Sequence, residues 1–219
     1  MDTRLGLIET AERLFAERGV HGVSLRQIGA AAGQRNTGAV RYHFGSKEAL
    51  VDAVFRHRME PINARREAML AELDARGRDG VRGLAEAFLY PLSEMLGDVG
   101  RPSWYLRFCL HAAYVEGTAP TDLSRQPWTH GIHVIQQCFD AALAALDLPA
   151  DVREARWAQF CGYMAHALAD REHRLEHGPR QGLPDRSLFL SGLIDTAVAL
   201  ATAPVSPETA ALLHHRRPA

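Results

Sequence analysis

The sequence predicts an all-α chain: an N-terminal three-helix unit with a helix-turn-helix pattern, followed by a larger C-terminal helical domain. Three observations carry the helical part. No stretch of the 219 residues sustains the apolar and polar alternation that a half-buried strand requires. Apolar residues recur instead at helical spacing, in blocks punctuated by Gly and Pro. Residues 24–50 hold two short helix signals around a glycine turn, followed at once by a third helix start.

The elements follow in order. Leu7, Ile8, Ala11, Leu14 and Phe15 make one apolar stripe, ended by Arg18 and Gly19. Ser24 is a suitable N-cap for a second helix whose apolar side is Ile28, Ala31 and Ala32, and Gly33 stands where a left-handed residue ends it. After a turn over Gly33 to Asn36, either Asn36 or Thr37 is expected to cap the third helix. That helix points Val40 and Phe44 inward and leaves Arg41, Tyr42 and His43 partly outward. Gly45 closes it, and Ser46 caps a longer helix beginning Lys47, Glu48, Ala49 and Leu50.

The formal net charge of −1 gives no global basic signal, but the local one is strong. From Ser24 to Lys47 the ionised side chains are Arg26, Arg35, Arg41 and Lys47, with no Asp or Glu among them. Such a patch binds phosphate by releasing counterions, and an Arg26 or Arg41 guanidinium can fork onto a guanine edge in the major groove. A generic basic surface is the plainer alternative, and the turn chemistry with its flanking helices weighs against it.

From Leu5 to Phe55 the chain resembles the tetracycline-repressor (TetR) family of transcription regulators, through LIETAERLFAERGVHGVSLRQIGAAAG and RYHFGSKEALVDAVF. The block Tyr42, His43, Phe44, Gly45, Ser46, Lys47 and Glu48 is its most specific part. The resemblance implies that the first helix buttresses the reading head and that Ser24 contacts phosphate. It implies that Arg26 reaches a base, that Tyr42, His43 and Lys47 grip phosphate, and that Thr37, Gly38, Ala39 and Arg41 lie where sequence is read. Gln34, Arg35, Asn36 and Thr37 make the turn one residue longer than the family's commonest form, and Asn36 is counted with the DNA-facing set.

Residues 1–55 are thus read as the DNA-binding domain, 56–203 as a ligand-sensing and dimerisation domain, and 204–219 as a flexible tail. In the second domain, Ser46 to Asp74 reads as one helix interrupted and kinked at Pro61, and Gly77 to Gly80 as its break. Val81 to Leu96 carries Pro91, and Trp104 to Glu116 follows Pro102. A polar loop, Gly117 to Pro127, precedes helices over Trp128 to Leu148, Pro149 to His177 and Pro184 to Ala203.

A head this small needs a second copy, because two heads about 34 Å apart read an inverted repeat in double-stranded DNA. In relatives the last two long helices pair as a four-helix bundle. Phe160, Tyr163, Met164, Ala167, Leu190, Leu193, Ile194 and Ala197 are the expected homodimer seam, with intrachain packing claiming about half of such residues. Tyr90, Trp104, Phe108, His111 and Trp128 are the candidate pocket for a small, mainly apolar or aromatic effector. Trp104, Phe108 and His111 fall at i, i+4 and i+7, and ordinary core packing is the competing reading for each. Ligand entry would move the base of the long helix about Pro61 and spoil the spacing of the heads.

His166, Asp170, His173 and His177 form a stripe beside Arg171, Glu172, Arg174 and Glu176, read as a solvated face and not as a metal site. No cofactor is expected. Cys109, Cys138 and Cys161 are far apart and inside helices, which suggests reduced thiols in a cytoplasmic protein. The apolar runs are too short to cross a bilayer, and the N-terminus lacks a signal-peptide core. No Gly-rich phosphate loop, Cys-X-X-Cys pair, nucleophile elbow or zinc-protease His motif appears, so a repressor released by its ligand is preferred. A corepressor-dependent regulator or activator, and an all-helical enzyme with the pocket as active site, are the alternatives.

Overall fold

The computed structural model describes residues 2–36, 38–75, 80–97, 103–115, 127–178 and 182–215. The head consists of α1 (Thr3–Arg18), α2 (Leu25–Ala31), α3 (Ala39–Phe44) and the start of α4 (Lys47–Ala75). α1 starts where the Asp2 carboxylate accepts the Arg4 amide proton (3.0 Å) and ends at Gly19, whose φ of 72° favours glycine. Leu7, Ala11 and Phe15 on its inner stripe share one core cluster with Ile28 of α2, Val40 of α3 and Leu50 and Val54 of α4, all without exposed surface.

The second domain comprises the remainder of α4, α5 (Val81–Ser93), α6 (Tyr105–Leu110) with a π-helical turn over His111–Val115, and a 3-10 turn at Pro127–Thr129. α7 (His130–Ala144), α8 (Ala150–His177), α9 (Arg186–Thr202) and α10 (Pro207–His215) complete it. Among the described residues there is no strand, and no single helix is long and apolar enough to cross a membrane. α5 lies among α4, α7 and α9, while α6 is inserted between α1 of the head and α8.

Three expectations need correction. α4 runs without interruption through Pro61. The ring removes one backbone donor, but buried Ile62, Asn63 and Arg66 just beyond it hold the helix by tertiary packing. Residues 104–115 are not one regular α-helix: Trp104 is the N-cap position of α6, its carbonyl accepting the Phe108 amide proton (2.9 Å), and a π turn opens at His111. Residues after Pro204 are not all frayed, since Pro207–His215 is helical, with Glu208 in its first turn and the Ser206 hydroxyl accepting the Thr209 amide proton (3.3 Å). Most of the expected polar loop, and Glu116 at the end of the preceding helix, lie outside the described residues.

Candidate nucleic-acid interface

The reading head is positioned by short-range bonds. Ser24 and Gln27 form a reciprocal capping box: the Ser24 hydroxyl accepts the Gln27 amide proton (3.3 Å), and the Gln27 side-chain oxygen accepts the Ser24 amide proton (2.8 Å). α2 then stops at a turn in which Gly33 takes φ 71°, with its amide on the Ala30 carbonyl (3.1 Å) and the Gln34 amide on the Gly29 carbonyl (3.0 Å).

The entry to α3 differs from expectation. Its N-cap position is Gly38, which has no side chain to offer, and Asn36 acts earlier, its Oδ1 accepting the Gly38 amide proton (2.8 Å) as an Asx turn. The expected cap at Asn36 or Thr37 is therefore replaced by a turn bond from Asn36, and Thr37 lies outside the described residues. Val40 anchors α3 with no exposed surface. Arg41 and Tyr42 face solvent, Tyr42 with 87% of its surface exposed, while His43 and Phe44 are half-buried. The Tyr42 and His43 rings meet edge to face at 5.3 Å. Gly45 ends α3 at φ 75°, and the Ser46 hydroxyl accepts the Ala49 amide proton (3.1 Å) at the start of α4.

Ser24, Arg26, Arg35, Asn36, Gly38 and Arg41 are also exposed, and Ala39 is half-buried. The head thus offers hydroxyl, amide and guanidinium donors without a carboxylate between residues 24 and 47. Hydroxyl and basic groups suit phosphate oxygens, and the fork of Arg41 suits a guanine edge. Lys47 has a second duty, since its Nζ donates to the Val20 carbonyl (3.0 Å) and pins the end of the α1 turn to α4. An ammonium has three protons, so two remain for phosphate. Sequence reading missed Arg4, whose guanidinium covers the Phe44 ring at 5.0 Å; no local signal joins positions so far apart in the chain.

The expected pocket residues differ in burial. Phe108 has no exposed surface and lies against Phe55 (4.7 Å) and Phe15 (6.0 Å), so it seals the junction of α1, α4 and α6. Trp128 is buried, and Asn63 Nδ2 donates to its carbonyl oxygen; Tyr90, Trp104 and His111 are half-buried. Phe88, Phe139, Trp157 and Phe160 form a separate aromatic cluster, with centroids 4.9 to 6.0 Å apart for the contacting pairs.

The residues of the expected dimer seam are divided by burial. Phe160, Met164, Leu190, Leu193, Ile194 and Ala197 are all buried within one chain, which leaves Tyr163 exposed and Ala167 half-buried. Their stripes cover this chain's own helices, a use that periodicity cannot distinguish from pairing with a second copy. In the histidine stripe, Asp170 is paired with Arg174 (3.0 Å) and the His173 and His177 rings stack at 4.6 Å, while His166 is exposed.

Two short helices, α2 and α3, joined by a turn at Gly33 and packed on α1 and α4 make a helix-turn-helix unit, and the described residues beyond it lie in helices or short connections. The profile of the family described as bacterial regulatory proteins, tetR family, matches residues 7–54. The HTH-type transcriptional repressor KstR2 of Rhodococcus jostii (strain RHA1) is 38% identical over 74 residues, 33% of this chain and 36% of the relative. The HTH-type transcriptional repressor Rv3405c of Mycobacterium tuberculosis (strain ATCC 25618 / H37Rv) is 36% identical over 95 residues, 41% of this chain and 49% of the relative. The chain therefore spans half or less of the length of these curated relatives. A crystal structure from Shewanella sp. PV-4, assigned to the tetR family transcription regulators, has a TM-score of 0.56 at 18% identity. It covers 90% of this chain and 96% of that one, a likeness of fold. Residues 7–54 are thus similar to the N-terminal region of the tetR family of bacterial regulatory proteins, and the whole chain shares a fold with a structure assigned to that family.

Proposed function

We propose that this chain is a sequence-specific DNA-binding transcriptional regulator, acting in the cytoplasm as a homodimeric repressor that a small molecule releases from an inverted-repeat operator. The observation that carries the reading is the contrast within α3: Val40 is wholly buried, while the adjoining Arg41 and Tyr42 are presented to solvent from a segment, residues 24–47, that holds no acid. A bare tyrosine and arginine on a rigidly anchored short helix suit the phosphates and base edges of a major groove.

Two copies would meet through the outer side of α8 and α9, since the inner side is consumed by the core. Gln159, Tyr163 and His166 on α8, and Leu188, Gly192 and Thr196 on α9, are exposed at helical spacing. The Tyr163 hydroxyl and Thr196 Oγ1 lie 2.6 Å apart and join the two helices.

Signal would pass through α6. Buried Glu172 of α8 accepts amide protons from Leu106 (3.2 Å) and Arg107 (3.0 Å), holding the first turn of α6, and Phe108 carries that helix onto Phe15 and Phe55. Glu12 of α1 and Arg58 of α4 are clamped by two bonds of 2.7 and 3.0 Å. A shift of α6 therefore loads α1 and α4 together, and a preference of about 1 to 3 kcal/mol for the shifted state suffices to weaken operator binding. The test is selection from a random duplex pool with the purified protein: an enriched inverted repeat is expected, and no enrichment with or without small-molecule extract would overturn the reading.

A further inference from the structure

Arg66 of α4 is the odd group in the second domain. Its side chain is 1% exposed, and among the described residues no carboxylate pairs with it. A guanidinium has five N–H donors. Here Nη1 reaches Asn63 Oδ1 at 3.4 Å and Nη2 reaches the Phe88 carbonyl at 3.5 Å, both at the outer limit of a hydrogen bond, while Nε has no partner. The Phe88 ring lies 5.0 Å from the guanidinium carbon. Burial pulls the group down to about 10, as expected for a cation that no anion compensates.

A second buried donor stands near it. The Tyr105 hydroxyl has no hydrogen-bond partner other than the weakly accepting Cys109 sulfur, and its side chain has no exposed surface. Tyr105, Cys109 and Cys161 each lie close enough to Arg66 to act on its charge, so side chains of α6 and α8 approach Arg66 of α4. The aromatic cluster adjoins it through Phe88, which contacts Phe160 (5.2 Å) and Trp157 (6.0 Å). The π turn that begins at His111 breaks the regular ladder of the helix carrying Tyr105 and Cys109, a feature that often marks functional sites.

An apolar residue of similar volume is usually at least as stable as a buried ion without its partner, so stability alone does not account for arginine here. A carboxylate does: its two oxygens match the guanidinium fork, and it accepts from a phenol as well. We propose that Arg66, with Tyr105 beside it, is the anion-binding centre of the effector site, and that the effector is an organic acid whose carboxylate meets Arg66 and whose apolar body meets the aromatic cluster. This deepens, and rests on, the reading of the second domain as ligand-sensing, and it adds an anionic head to the mainly apolar molecule expected from sequence.

The experiment uses the full chain without DNA, so that its failure counts against the acid site and leaves the DNA reading standing. Binding of decanoate and 4-phenylbutyrate is compared with that of their primary amides, by tryptophan fluorescence and by shift of the melting temperature. The acids are expected to bind at least about tenfold more tightly than the amides. Arg66→Met should erase that preference while melting at or above the parent's temperature. Arg66→Lys, which keeps the charge and loses the fork, should fold and bind the acids several-fold more weakly. The proposal is overturned if acids and amides bind alike, if neither acid binds, or if Arg66→Met or Arg66→Lys binds the acids as the parent does.

Discussion

Phe55 of α4 and Phe108 of α6 pack with ring centroids 4.7 Å apart, and Phe108 also lies 6.0 Å from Phe15 of α1. A residue of α6 thereby completes the core of the helix-turn-helix head. Phe108→Ala should cost about 3 to 5 kcal/mol, because the cavity opens where three helices meet. Urea denaturation measures the loss. Phe108→Leu should fold and bind DNA, but with reduced transmission from the second domain.

Lys47 is placed to act twice. Lys47→Ala removes its bond to the Val20 carbonyl and should lower stability by about 0.5 to 1.5 kcal/mol. It should also weaken binding to every duplex and reduce the salt slope by about one unit. A loss of stability with an unchanged slope would confine Lys47 to the structural role.

His57, half-buried on α4, is held below its usual 6.5 by burial first and by the Arg58 charge second, with Arg4 acting in the same sense and Glu9 and Glu60 opposing. The unfolded chain therefore binds this proton more readily than the folded one. Its contribution to stability is complete above pH 6.5 and declines as pH falls through the folded value. His57→Gln should flatten that part of the stability profile, as followed by thermal melts across the acid range.

The proposed dimer surface separates two residues only six positions apart. Leu188 is 68% exposed and Ile194 is 1% exposed, so Leu188→Glu should yield a folded monomer, whereas Ile194→Glu should fail to fold. Sedimentation equilibrium decides it: a Leu188→Glu protein that stays dimeric would move the interface elsewhere.

The head was readable because its determinants are local. Ser24 finds its partner at Gln27, Gly33 and Gly45 take the positive φ that ends a helix, and Ser46 caps from three residues away. The second domain was not, because its meaning lies in contacts across the chain. Nothing near Arg66 in sequence reveals that the Phe88 carbonyl is its neighbour, nor that Glu172 holds the amides of Leu106 and Arg107. The apolar stripes of α8 and α9 were found, but Phe160 and Ile194 would show the same periodicity facing either their own core or a second copy. The π turn at His111 has no Gly or Pro to announce it.

The central claim rests on Tyr42 and its neighbour Arg41, and the most direct measurement is the affinity of the parent and of Tyr42→Ala for the selected duplex, with melting temperatures recorded alongside. Tyr42 is 87% exposed, so truncation should leave the melting temperature nearly unchanged while weakening DNA binding about tenfold or more. A Tyr42→Ala protein that binds the duplex as tightly as the parent would show that this face of α3 is not the reading surface.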